Sequence, residues 1–314
     1  MRMTKNGLLA AALLVCLGAA SARADAGGVE HARRRLYATD VAQSEATRTQ
    51  GSARGFTAFV AEDAVLALPG VYLLQGRTAI AAGLAAAPLE GAGGTLRWEP
   101  LRWDVSADGK LGYSLGRVWL APAQPGGALL HGAYVSVWRQ DAQGEWTLSA
   151  SVRNLQPGSF GPVPLEALPE GCKPFHDNGR RGAKEGDAAG FLAEAFDADR
   201  AFAAYAATHG TEASFYAFAS DEVYVTAAGG SCGREALVPT GGPQSLLVWS
   251  PALGDAAATG DLAWTLGGYN VTAQTPSGPR TFYGKYLSVW TREKDGSLRY
   301  LIDLGNSSPG GERL

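Results

Sequence analysis

Apolar and polar positions repeat with two different periods along this chain, and the change from one to the other marks its elements. From Asp187 onward, Phe191, Ala195, Phe202 and Ala206 recur near one face at helical spacing, with Phe196 beside them. Asp187 is placed to cap this helix, and His209-Gly210 to end it. A more polar helix is predicted around Val29 to Gln50. After each helix come β-branched and aromatic runs, separated by turn signals at Asp108-Gly109, Gly126-Gly127, Gln143-Gly144, Pro276-Ser277-Gly278 and Asp295-Gly296. Helix first and hairpin-linked strands afterwards predict an α+β class, a curved antiparallel sheet wrapped over helices.

The pattern is written twice. HGAYVSVWRQDAQG at 131–144 returns as YGKYLSVWTREKDG at 283–296. Phe56, Phe59 and Glu62-Asp63 return as Phe215, Phe218 and Asp221-Glu222. Gly76-Arg77 returns as Gly233-Arg234, Trp98 as Trp249, LGYSLG at 111–116 as LAWTLG at 262–267, and Asn154 and Pro157 as Asn306 and Pro309. Constant order with small drifts in spacing means duplication with loop insertions. Between the copies, Pro157, Pro162, Pro164, Pro169 and Pro174 with interspersed glycines read as a linker. The expected division is a leader over 1–24, a first domain over 25–157, a linker over 158–186 and a second domain over 187–314.

The duplicated strands are apolar on both faces. Leu287 and Val289 alternate with Tyr286 and Trp290, as Val135 and Val137 do with Tyr134 and Trp138. A strand with one face in water alternates apolar with polar residues. These strands therefore need cover on both sides, and the simplest second cover is the other copy. Two cones packed sheet against sheet, an intrachain pseudo-dimer, are expected.

Composition adds a compartment. Arg2 and Lys5, the apolar run Leu8 to Leu17, and Ala22-Arg23-Ala24 before Asp25 form the pattern of a cleaved secretory signal. The run is short for a bilayer span, and valine before Cys16 suits a lipid-attachment site poorly. Loss of the three basic residues Arg2, Lys5 and Arg23 takes the formal net charge from −3 to −6. A mature periplasmic or secreted chain with no membrane segment is the expectation. Its short basic clusters, Arg33-Arg34-Arg35 and Arg180-Arg181, argue against nucleic acid as a partner. Cys172 and Cys232 form an even pair that an oxidising compartment would bridge, although two unpaired thiols remain the alternative. The scattered histidines and cysteines show no metal-ligand spacing, and no nucleophile elbow or phosphate-binding glycine loop occurs. No metal or organic cofactor is expected.

The acidic pair before a strand, the Gly-Arg-x-Ala-aliphatic turn, the Trp-x-Pro of Trp98 to Pro100, the G-x-Y-x-S-V-W phrase and the D-L-G-N at 303–306 resemble the nuclear transport factor 2-like superfamily. Its SnoaL-like, ketosteroid-isomerase-like bacterial members are the nearest branch. The resemblance covers both copies and is stronger in the second, since the first has Ser151 where the second has Asp303. It implies a cone enclosing a pocket, commonly paired through the sheet, but no single chemistry.

Ketosteroid-isomerase-like sites use a carboxylate base and acidic hydrogen-bond donors in an apolar cavity. Asp303 is the first candidate here, beside Tyr283 or Tyr286. Strict alternation puts Asp303 with Arg299 and Leu301, and Tyr300 with Ile302 and Leu304, a pattern equally suited to a solvent edge. His209 is a second candidate base, although the last turn of a helix favours a histidine through the macrodipole alone. His131 aligns with Tyr283 at a strand start that would border a pocket mouth. Trp249, Trp264 and Tyr134 are candidates for a ligand-binding wall, with core packing as the alternative. Adjacent acids such as Glu62-Asp63 and Asp221-Glu222 read as turns, each with a nearby arginine to pair. Three functions stay open: binding of a small, mostly apolar molecule, isomerase or dehydratase chemistry on Asp303, and a pocketless interaction module that could also self-associate.

Overall fold

A computed structural model describes residues 7–87, 93–124, 126–157, 172–173, 187–226, 231–239 and 246–311, with side chains from residue 27 onward except at 246. Most of the expected linker, 158–186, lies outside the described residues, as do residues 1–6 and 312–314.

The first copy opens with one helix, α1 (Gly7–Gln50), which spans both the apolar leader run and the predicted polar helix. Gly51 ends it at φ 82°, a conformation that glycine, having no Cβ, adopts without strain. Two short turns, Ser52–Phe56 and Thr57–Phe59, lead to β1 (Val60–Ala67), β2 (Leu74–Gln75) and α2 (Arg77–Ala86). Then follow β3 (Thr95–Val105), β4 (Leu111–Ala121), β5 (Leu130–Gln140), β6 (Trp146–Arg153) and β7 (Gln156–Pro157). The sheet order is β2-β1-β6-β5-β4-β3, with β7 beside β5 and β1 parallel to β6. Glu62 and Asp63 lie inside β1 rather than in a turn before it.

The second copy begins with α3 (Ala188–His209), where the Asp187 carboxylate accepts from the Gly190 amide at 2.7 Å. Phe191, Ala195, Phe202 and Ala206 form its buried stripe, as the spacing predicts, and Asp199 lies buried among them. After α4 (Thr211–Phe218) come β8 (Tyr224–Val225), β9 (Ser231–Cys232), β10 (Leu246–Ala256), β11 (Leu262–Thr275), β12 (Gly278–Arg292) and β13 (Leu298–Ser308). The last four form a sheet in that order. Among the described residues, the counterpart of the β1–β6 pairing survives only as a bridge between Ala219 and Tyr300; beyond it the chain turns at Ser220, and Glu222 meets Arg102 of the other domain. No helix among the described residues is long and apolar enough to cross a membrane.

The two sheets pack face to face. Val135 and Val137 meet Leu287 and Val289 in one buried cluster that also holds Tyr113 and Trp264. Tyr134 and Trp138 turn the other way, onto α1, and Tyr286 and Trp290 onto α3. Both covers expected from the two-faced strands are present, and Trp138 and Trp290 are fully buried. Burying one such aliphatic side chain contributes roughly 1.5–3 kcal/mol, so the apolar seam dominates the contact. Polar bonds set its register. Asn306 Nδ2 donates to the carbonyls of Ala67 (2.9 Å) and Arg153 (2.8 Å), and the buried Lys285 ammonium donates to the Val71 carbonyl at 2.6 Å. Buried Arg102 reaches the Glu222 carbonyl and its carboxylate from the first domain. Cys172 and Cys232 are joined by a disulfide that ties the chain before α3 to β9.

Candidate functional site

On the concave face of the second sheet, paired residues form cross-strand rows. One row is Trp249–Tyr269–Gly284, the next Pro251–Gly267–Tyr286–Gly305, and the third brings Thr265 beside Ser288 and Asp303. Tyr286 thus stands between two glycines, and the space that their missing side chains leave deepens into a cavity of about 330 Å³. Phe202 from α3 and Phe215 from α4 close it on the helical side. Trp249, Tyr269 and Tyr286 form the sheet side, Leu247 and Val271 extend it along β10 and β11, and Asp303 and Gly305 come from β13.

Asp303 reaches the cavity because β13 is bulged. Val289 pairs with Ile302 but Trp290 pairs with Tyr300, so Leu301 is the extra residue. A bulge shifts the alternation by one. Leu301, Ile302 and Leu304 all enter the inter-sheet cluster, whereas Tyr300 and Asp303 share the concave face. The strict alternation read from the sequence fails at this residue, and the failure moves Asp303 from a solvent edge to a pocket wall.

The Asp303 carboxylate accepts from Ser288 Oγ at 2.5 Å. Burial raises its pKa to about 7, the Ser288 bond opposes the rise, and the nearby Asp199 carboxylate adds to it. Asp199 itself is buried under the pocket floor. It accepts from Trp249 Nε1 (2.9 Å), Thr265 Oγ1 (2.7 Å) and the Tyr286 hydroxyl (2.9 Å). Burial pushes its pKa up, and those three bonds pull against that rise. Tyr286, buried beside two carboxylates, is held far above the ordinary phenol range.

The first copy repeats this network. Asp40 accepts from Trp98 Nε1 (2.7 Å) and from the Tyr134 hydroxyl (2.7 Å). Trp138 Nε1 donates to Ser114 Oγ at 2.9 Å, as Trp290 Nε1 does to Thr265 Oγ1 at 2.8 Å. Sequence reasoning missed both aspartates. The available signal was an acid within the apolar stripe of the second helix, with an aspartate at the matching place in the first. The pockets differ nonetheless. Arg153 pairs with Tyr134 where Gly305 pairs with Tyr286, and Ser151 replaces Asp303. Arg153 is buried with its guanidinium 5.6 Å from the Phe56 ring centre, and Phe56 is the repeat partner of Phe215. An arginine fills in the first domain what a glycine leaves open in the second.

Of the residues singled out in the sequence, Asp303, Tyr286 and Trp249 meet in this cavity. The others do not. Tyr283 is three residues before Tyr286, an odd step that turns it to the opposite face, where it is 39% exposed. His131 has the same parity on β5 and is buried. Trp264 also faces the other domain and borders a separate cleft of about 420 Å³ with Arg139, Asp255 and Asp63. Tyr134 is locked on Asp40 in the first domain. His209 is exposed at the end of α3, stacked on Tyr205 at 3.8 Å, with Nδ1 sharing a 2.7 Å hydrogen bond with Thr208 Oγ1. It is not among the cavity-lining side chains. Among the described residues, no three metal-ligating side chains come together.

These features define a pair of α+β cones joined through their sheets, one with an open cavity. No protein-family profile matches the chain, and no curated protein matches it. Solved structures similar to it include nuclear-transport-factor-2-like and ketosteroid-isomerase-like proteins, each matching only part of the chain. An NTF2-like protein with a cystatin-like fold from Novosphingobium aromaticivorans is 19% identical at a TM-score of 0.34, covering 51% of this chain and 95% of its own. A ketosteroid isomerase-like protein from Erwinia carotovora atroseptica is 14% identical at 0.35, covering 40% and 96%. An NTF2-like protein of unknown function from Shewanella oneidensis MR-1 is 15% identical at 0.29, covering 36% and 89%.

Proposed function

We propose that this protein binds a small, mostly apolar molecule in the cavity of its second domain, with Asp303 as the polar contact. The observation that carries this reading is the exchange of Arg153 for Gly305 at equivalent register, which leaves an aromatic-walled space in the second copy where the first holds a buried guanidinium. A thermal-shift screen of small apolar compounds, including steroids, polyketides and aromatic acids, tests it on the native protein and on Gly305→Arg. Ligands should raise the melting temperature of the native protein only. Equal shifts in both proteins, or none in either, would refute the assignment.

A second reading, proton transfer by an isomerase or dehydratase, is favoured by one feature. Burial holds the Asp303 carboxyl at about 7, where a general acid or base works near neutral pH. Under that reading Asp303→Asn abolishes turnover and leaves the fold intact, whereas a pure binder shows stabilisation without turnover. Export with cleavage near Ala24-Asp25 belongs to the same proposal. The basic and apolar start of the chain supports it, as does the Cys172–Cys232 disulfide, which suits an oxidising compartment. N-terminal sequencing of the mature protein checks the cleavage site.

A further inference from the structure

The hydrogen-bond donors around the cavity are largely committed elsewhere. Tyr286 donates to Asp199 Oδ2, Trp249 Nε1 to Asp199 Oδ1, Tyr269 to the Asn306 carbonyl at 3.2 Å, and Ser288 to Asp303. What these side chains still offer a ligand is acceptor oxygen and aromatic surface. No lysine, arginine or histidine stands among the lining residues, and Asp303 is their one ionisable carboxyl. Aromatic faces attract cations through their quadrupoles, and a carboxylate anchors the same charge. With Asp303 ionised, a carbonyl or an anion would meet a negative charge there and no positive group.

From this geometry we infer that the pocket takes a small organic cation, an alkyl- or arylammonium whose charge lies against Asp303 while its apolar body contacts Phe202, Phe215, Trp249 and Tyr286. The inference rests on the proposed binding role and adds the ligand's chemical class.

It also sets a direction with pH. The ionisable groups facing Asp303 are Asp199 from α3, Tyr269 from β11, Tyr286 from β12 and Tyr300 from β13. The three tyrosines are all pushed up and stay neutral, so the change near neutral pH falls to Asp303. A cation binds the ionised carboxylate, and its affinity rises with pH through that titration.

The test is calorimetric titration with three probes of similar size: phenyltrimethylammonium, its neutral isostere tert-butylbenzene, and benzoate. On the native protein at pH 8, phenyltrimethylammonium should bind about tenfold more tightly than tert-butylbenzene, as a desolvated cation–π contact with a counter-ion allows. At pH 5.5 its affinity should fall at least about fivefold while that of tert-butylbenzene stays constant. Asp303→Asn should bring the cation down to the neutral probe and remove the pH dependence. Tighter or equal binding of tert-butylbenzene or benzoate overturns the cation assignment and leaves the binding pocket standing. Absence of binding by all three, with the native and Gly305→Arg proteins indistinguishable, overturns both. A circular dichroism melt of each variant establishes that it is folded.

Discussion

Replacing Asp303 by asparagine tests the electrostatics of the pocket without changing its shape. The sign follows from linkage. Because the folded-state pKa is raised, to about 7 against an ordinary 3.8, the carboxyl's contribution to stability is fully present below its unfolded value and is lost as pH rises through about 7. Three units at about 1.4 kcal/mol each give an upper bound of about 4 kcal/mol. Water reaches the carboxyl through the open cavity, and discounting for that screening leaves about 2 kcal/mol. Asparagine keeps the acceptor for Ser288 and cannot ionise. The difference in unfolding free energy, Asp303→Asn minus native, should therefore grow by about 2 kcal/mol between pH 4 and pH 8. Urea unfolding of both proteins across that range measures it. Asp40 and Asp261, whose pKa values are also raised, slope in the same direction in both proteins and largely cancel in the difference. A difference that stays flat with pH would refute the picture of a buried carboxyl held near neutrality by its cavity.

The remaining predictions concern the two networks and the seam. Asp199→Ala strands three donors (on Trp249, Thr265 and Tyr286) and should cost about 3 kcal/mol or more by chemical denaturation. Asp40→Ala should cost a comparable amount in the first domain, since it strands Trp98 and Tyr134. Asn306→Ala leaves the carbonyls of Ala67 and Arg153 without that donor and should cost about 2–3 kcal/mol, read from the urea midpoint. Replacing Cys172 and Cys232 by serine opens a link across 60 residues. Loop-closure entropy puts that loss at up to about 4 kcal/mol, and the native protein should approach the double variant's melting temperature under reducing conditions.

Much of the architecture was legible in the chain because duplication and periodicity are local signals. The repeated phrase required two like domains, and the double apolar alternation of Val135, Val137, Leu287 and Val289 required a second cover. The stripe of Phe191, Ala195, Phe202 and Ala206 located α3 and its buried face. Asp303, Tyr286 and Trp249 could be named in advance because carboxylates and aromatics in apolar strands are few.

Tertiary structure alone decided which faces those residues share. The bulge at Leu301 cannot be read from composition, since it arises where β13 must pair with β12 while both sheets close on each other. It reverses the alternation and delivers Asp303 to the cavity. The same holds for Asp40 and Asp199, whose burial is tolerable only because a tryptophan and a tyrosine distant in sequence arrive to bond each carboxylate. Cavity volume is equally non-local. Gly305 and Arg153 are single letters in the repeat, and they become an open and a filled pocket only when β13 and β6 lie against their neighbouring strands.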